Sequence, residues 1–129
     1  MAPVATVSTN SQKRTFADRM RATPARSPLR FIGIGVGANT RTAAITDTAL
    51  TTEVESRVSG TESLVTTAVT EDTYQTVGTI TATAARSVDE AGTFDAATAG
   101  NIGVSATFGV ISLANGDSLQ LTVRTQQAP

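Results

Sequence analysis

The chain has no cysteine, no histidine and no tryptophan, one lysine (Lys13) and one tyrosine (Tyr74) among its 129 residues. Without Cys or His there are no disulfides, thiol nucleophiles, Ser-His dyads or imidazole-ligated metals. Any catalysis would have to run on carboxylates. Large apolar residues are also scarce: 20 of the 51 hydrophobic residues are Ala, and Leu, Ile, Val and Phe together number 28. A thin core offers little surplus over chain entropy, so support from a subunit interface is expected. No apolar run approaches the roughly 20 residues that cross a bilayer. Met1 to Asn10 lacks the charged start and apolar stretch of a secretory signal. Neither membrane insertion nor export by that route is expected.

Threonine is plentiful, at 24 residues, and its restricted χ1 favours strands. The length fits one domain. Charge is unevenly spread: residues 1–41 carry seven Lys or Arg against Asp18 alone, and residues 42–129 carry three Arg against ten acids. A basic arm on an acidic body suits contact with an acidic neighbour. Nucleic-acid binding is disfavoured, because Phe16 is the arm's only stacking platform.

From Met1 to Arg30 there is no sustained periodicity. Pro3, Pro24 and Pro28 limit any helix to a turn or two within Thr15 to Thr23. Residues 1–30 therefore read as an extended assembly arm, with Arg14, Arg19, Arg21, Arg26 and Arg30 as its charges and Val4, Val7, Phe16, Met20 and Leu29 as apolar anchors, ordered only against a neighbour. Residues 31–129 read as the body. Phe31 to Val36 is a short strand whose Gly33 and Gly35 permit close approach. Its GxGxG pattern, completed by Gly37, lacks the helix that a nucleotide site needs. Thr46 to Arg57, with Leu50/Val54 and Glu53/Arg57 four apart, reads as a short helix. Leu64 to Thr70, Tyr74 to Ala85, Ile102 to Ile111 and Ser118 to Thr125 read as strands, with Asn115-Gly116 turning the last two into a hairpin. The fold class is all-β: an antiparallel β-sandwich or jelly-roll-like body with an extended N-terminal arm. Ile80, Val104, Phe108, Leu119, Leu121 and Val123 are the expected core.

Asp89, Glu90 and Asp95 lie close enough in sequence to suggest a glycosidase pair or a Ca²⁺ site. The structural alternative is stronger. Glu90-Ala91-Gly92 suits a tight turn whose carboxylate accepts backbone N–H bonds, with Gly92 there for conformation or close packing. No cofactor, metal or catalytic residue is expected.

The order FIGIGVG at 31–37, AAITDTAL at 43–50, Glu53 and Arg57, EAGTFD at 90–95 and GDSL at 116–119 resembles the small structural proteins of tailed bacteriophages and related viruses. The likeness covers about residues 31–125. It departs at Thr93, where the pattern has a larger apolar residue, and in the last strand, where an aromatic is often found and Leu121 and Val123 stand. The resemblance implies a virion part: a capsid decoration or cement protein packed as a symmetric homo-oligomer, a trimer in the first instance, whose arm reaches neighbouring subunits or the major capsid protein. The alternative is a tail fibre, spike or baseplate adaptor.

Overall fold

The computed structural model describes residues 5–38 and 41–126; Val4 lies outside them. The elements are β1 (Ala5–Ser8), α1 (Asn10–Arg19), β2 (Phe31–Val36), β3 (Thr52–Ser59), β4 (Thr61–Val65), β5 (Thr73–Thr81), β6 (Arg86–Phe94), β7 (Ile102–Leu113) and β8 (Ser118–Gln126). The strands form two antiparallel sheets, one ordered β1-β7-β6-β2-β3 and one ordered β4-β5-β8. The protein is an all-β sandwich. Between the sheets lie Ile32, Ile34, Ile80, Ala82, Val88, Ala91 and Leu113, with Phe108, Ile111, Leu119 and Leu121 packed against them but still partly exposed. Of the expected core residues only Ile80 is fully enclosed. Val104 and Val123, half-buried, line a groove on the β8 side.

Alternation works as expected in β5, where Thr76, Gly78 and Ile80 point inward. Gly78 is needed there, since a Cβ would press on Ile32 and Val58 of the facing sheet at 3.0 Å each. β3 and β4 run almost continuously around Gly60, which turns the chain from one sheet to the other, its N–H bonded to Arg30 O at 2.8 Å. That margin of the sandwich is closed.

Several expectations are corrected. Thr46 to Arg57 is not a helix: residues 52–59 are β3, paired to β2. Three residues of β2, from Ile32 to Ile34, face five of β3, from Val58 to Val54, and Glu55 takes a φ of 63°. This bulge brings Glu53 and Arg57 together at 2.7 Å, so a four-residue spacing that suggests a helix turn is here the mark of a bulged strand. The strand sought at Leu64 to Thr70 lies earlier, at β4. Glu90-Ala91-Gly92 is not a turn but the middle of β6, paired on both sides with β2 and β7. Asn115-Gly116 does form a turn, with Asp117 N bonded to Ala114 O at 3.0 Å and Gly116 at φ 93°. It does not make a hairpin, however, because β7 and β8 belong to different sheets and β8 pairs with β5.

The described part of the N-terminal segment is folded on its own chain. β1 extends the larger sheet by pairing with β7. α1 begins at Thr9, whose Oγ1 accepts from Gln12 N at 3.3 Å. Thr-x-x-Gln is the spacing of a helix start, a signal that the proline count obscured. α1 spans the end of the sandwich: Thr9 N bonds Gly103 O of β7 at 3.0 Å, and Gln12 Nε2 bonds Thr125 Oγ1 of β8 at 3.1 Å.

Candidate functional site

The outer face of the larger sheet carries most of the polar structure, and the glycines of β2 make room for it. Gly35 pairs with Glu90. A Cβ on Gly35 would collide with the Glu90 carboxylate and stand 2.9 Å from Thr52 O. In the space left open, Glu90 is fully buried and its Oε2 accepts from Arg41 Nη2 at 2.8 Å. Its Oε1 accepts from Thr52 N at 3.2 Å. The carboxylate thus bonds a backbone amide as the sequence suggested, but from a central strand.

Arg41 continues the network. Its Nη1 meets Asp47 Oδ2 at 2.7 Å, and that oxygen also accepts from Ala44 N at 3.0 Å and Ser105 Oγ at 2.7 Å. Burial disfavours the Asp47 anion, but these three bonds outweigh it and hold the pKa below its ordinary value. Burial likewise opposes the Arg41 charge, and the two carboxylates raise its pKa in spite of it. The result fastens the loop between β2 and β3 to the sheet. Asp89 contributes too, accepting from Ala38 N at 3.0 Å.

Beside it, Arg57 lies flat on Phe94, with its guanidinium carbon 3.5 Å from the ring centre, while also bonding Glu53 and the carbonyls of Ala96 and Ala99. Gly33 leaves space here, since a Cβ would stand 3.0 Å from Glu53 and 3.1 Å from Phe94. Asp95 closes the next loop through Asn101 N at 2.7 Å and Asn101 Nδ2 at 2.8 Å. Asp89, Glu90 and Asp95 therefore each hold a different piece of backbone or a different partner. Among the described residues no group of three or more His, Cys, Asp or Glu is arranged to hold a metal ion. Gly92 serves close packing rather than a turn, because a Cβ would meet Ile102 at 2.9 Å and Val104 O at 3.1 Å.

The N-terminal segment divides in two. Leu29 is buried, and Phe16 lines a pocket of about 250 Å³ with Gln12, Tyr74 and Val123. Arg26 turns inward to Ser11 O and Thr15 Oγ1. Asp18 accepts from Arg26 N and Ala25 N and pairs with Arg21, and these bonds lower its pKa. Outward stand Lys13, Arg14, Arg19, Arg21 and Arg30, with Met20 at 88% exposure beside them. So of the expected anchors, Leu29 is used by the chain itself, and Met20 is the large apolar side chain the segment leaves in solvent. Among the described residues no helix is long and apolar enough to cross a membrane. Comparison with protein-family models, curated proteins and solved structures finds no match for the chain.

Proposed function

We propose that the protein is a non-enzymatic structural component of a tailed-phage virion, a capsid decoration protein that packs as a homo-oligomer and uses the outer face of its N-terminal segment against neighbouring subunits or the shell. The observation that carries this reading is the exposed basic segment at α1, where Lys13, Arg14, Arg19 and Arg21 stand in solvent together with Met20 on a body that is otherwise acidic. Such a segment combines charge that orients an encounter with an apolar contact that can be desolvated. The sequence likeness over residues 31–125 supports the same reading. So does the placement of the candidate carboxylates, since Asp89, Glu90 and Asp95 are occupied in holding loops. The alternative position, in a tail fibre, spike or baseplate, shares this chemistry and differs in copy number.

Quantitative mass spectrometry of purified particles tests the reading. Hundreds of copies per particle are expected for a head protein; three, six or twelve would move it to the tail or a vertex. Absence from the particle would overturn the virion assignment. Within the head reading, Arg14→Glu with Arg19→Glu is expected to abolish incorporation while the purified protein stays folded.

A further inference from the structure

A helix that only closes the end of a sandwich buries apolar side chains against it. α1 does not. The residues it turns to the pocket beneath it, at the i, i+3, i+4, i+7 spacing, are Gln12, Thr15, Phe16 and Arg19, and the two that are buried are Gln12 and Thr15. Thr15 is satisfied, because its Oγ1 accepts from Arg26 Nη1 at 3.1 Å. Gln12 is satisfied at one end only. Its Nε2 donates to Thr125 Oγ1, whereas Oε1, on a residue 1% exposed, has no partner among the described residues. A buried acceptor left unpaired carries its full desolvation cost.

The space beneath α1 is shaped around that oxygen. A Cβ on Gly103 would stand 2.9 Å from Gln12 Oε1, 2.8 Å from Thr93 Oγ1 and 2.7 Å from Leu29 Cδ1, so a glycine in β7 leaves room for the amide. Gln12, Thr93 and Leu29 all line the pocket of about 250 Å³, whose walls include Phe16 and Tyr74. Other polar groups there are engaged: Thr93 Oγ1 accepts from Val104 N at 2.9 Å, and the Tyr74 hydroxyl donates to Glu62 at 3.1 Å. Arg19 and Glu62, both exposed, stand at the mouth with opposite charges. They favour neither an anion nor a cation.

We propose that this pocket binds a neutral aromatic molecule of one or two rings that carries a hydrogen-bond donor and places it on Gln12 Oε1. An apolar cavity of roughly 150 Å³ accepts one benzene ring, so the volume here has room for two fused rings. Phe16, Leu29, Tyr74 and Val123 supply apolar contact along the body of such a ligand. The unpaired acceptor selects a donor at the ligand's inner end, since a molecule without one would leave Oε1 unsatisfied. This site goes beyond the virion reading and does not depend on it.

The test uses the full chain and two probes: indole, which has a ring N–H, and 1-methylindole, which lacks it. Heteronuclear NMR follows the side-chain amide of Gln12 and the nuclear Overhauser contacts of each probe with Phe16, Tyr74 and Val123. Indole is expected to bind with a dissociation constant of about 1 mM or tighter and to shift the Gln12 amide, and 1-methylindole to bind about tenfold or more weakly. Gln12→Met, checked for folding by circular dichroism, replaces the amide by an apolar chain of similar length, so the preference for indole is expected to fall to about twofold or less. Three results on the wild-type protein overturn the proposal whether or not the variant folds: no shift at the solubility limit of indole, contacts only with another part of the surface, or equal affinity for the two probes. An undiminished preference for indole in folded Gln12→Met overturns it as well.

Discussion

Glu90 shows how much a single buried carboxylate can ask of its neighbours. Its charge is tolerated because Arg41 and Thr52 N satisfy it, and it fits because position 35 has no side chain. Glu90→Gln keeps the shape but removes one half of the ion pair; Arg41 retains Asp47, so the loss is expected to be about 2 kcal/mol in urea unfolding. Gly35→Ala is expected to cost about 1 to 3 kcal/mol by overpacking. In the double variant Gly35→Ala with Glu90→Ala, the clash with the carboxylate is relieved while the contact with Thr52 O remains, and the costs of the two single variants should sum to more than the measured loss. Strict additivity would mean that glycine is there for another reason. Tyr74 gives a second test at this scale. Burial, reinforced by the nearby Glu62 carboxylate to which its hydroxyl donates at 3.1 Å, pushes its pKa up to about 12. Because the folded pKa lies above the unfolded one, its contribution to stability is complete below the unfolded value of 10.0 and is lost as pH rises through about 12. As the chain's only tyrosine it can be followed by tyrosinate absorbance without interference. Ionisation at the ordinary value, unchanged by Glu62→Gln, would contradict the buried placement.

At the scale of elements, what could be read from sequence depended on whether the deciding contact was local. β5 and β8, with their alternation, were legible because one face of each is inward and the other more open. β7 was legible as a strand although Ser105 and Thr107 on its other face are buried as well. β6 was not. Glu-Ala-Gly has the composition of a turn, and it takes Arg41, 49 positions away, and the Thr52 amide to make a buried glutamate acceptable in a central strand. β3 misled in a different way, since a bulge at Glu55 reproduces the four-residue coupling of a helix. In the turn from β7 to β8, the need for glycine is local and was visible, whereas the pairing partner is set by the sandwich. That division yields a prediction. A Cβ at Gly116 has nothing within 4 Å, so Gly116→Ala meets only the strain of φ 93°. The expected cost is about 1 to 2 kcal/mol, with no change in the oligomeric state measured by light scattering. For the candidate site the same rule holds: the basic residues of the N-terminal segment were countable, but which side chains face solvent depends on where α1 docks.

For the whole molecule, the central question is whether the basic segment is an appendage or part of the fold. An appendage would leave the body intact when lost. The contacts argue otherwise: β1 adds a strand to the larger sheet, Thr9 and Gln12 connect α1 to β7 and β8, and Leu29 is 5% exposed against Gly103. Ordering these residues costs about 1 to 2 kcal/mol of backbone entropy each, which exposed ion pairs worth roughly 0 to 1 kcal/mol cannot offset; burial of Leu29 and the bonds of Thr9 and Gln12 must do it. Leu29→Ala should therefore destabilise the entire protein, by about 2 to 5 kcal/mol, and do so within a single unfolding transition. Trypsin offers an independent check, because Arg14, Arg19 and Arg21 lie within or just beyond α1. If the segment is integral, cleavage there should be slow under native conditions and should speed up in Leu29→Ala. Rapid removal of the segment from a body that then unfolds at the wild-type temperature would show that the two are independent, and would restore the picture of an arm that becomes ordered only on a neighbour.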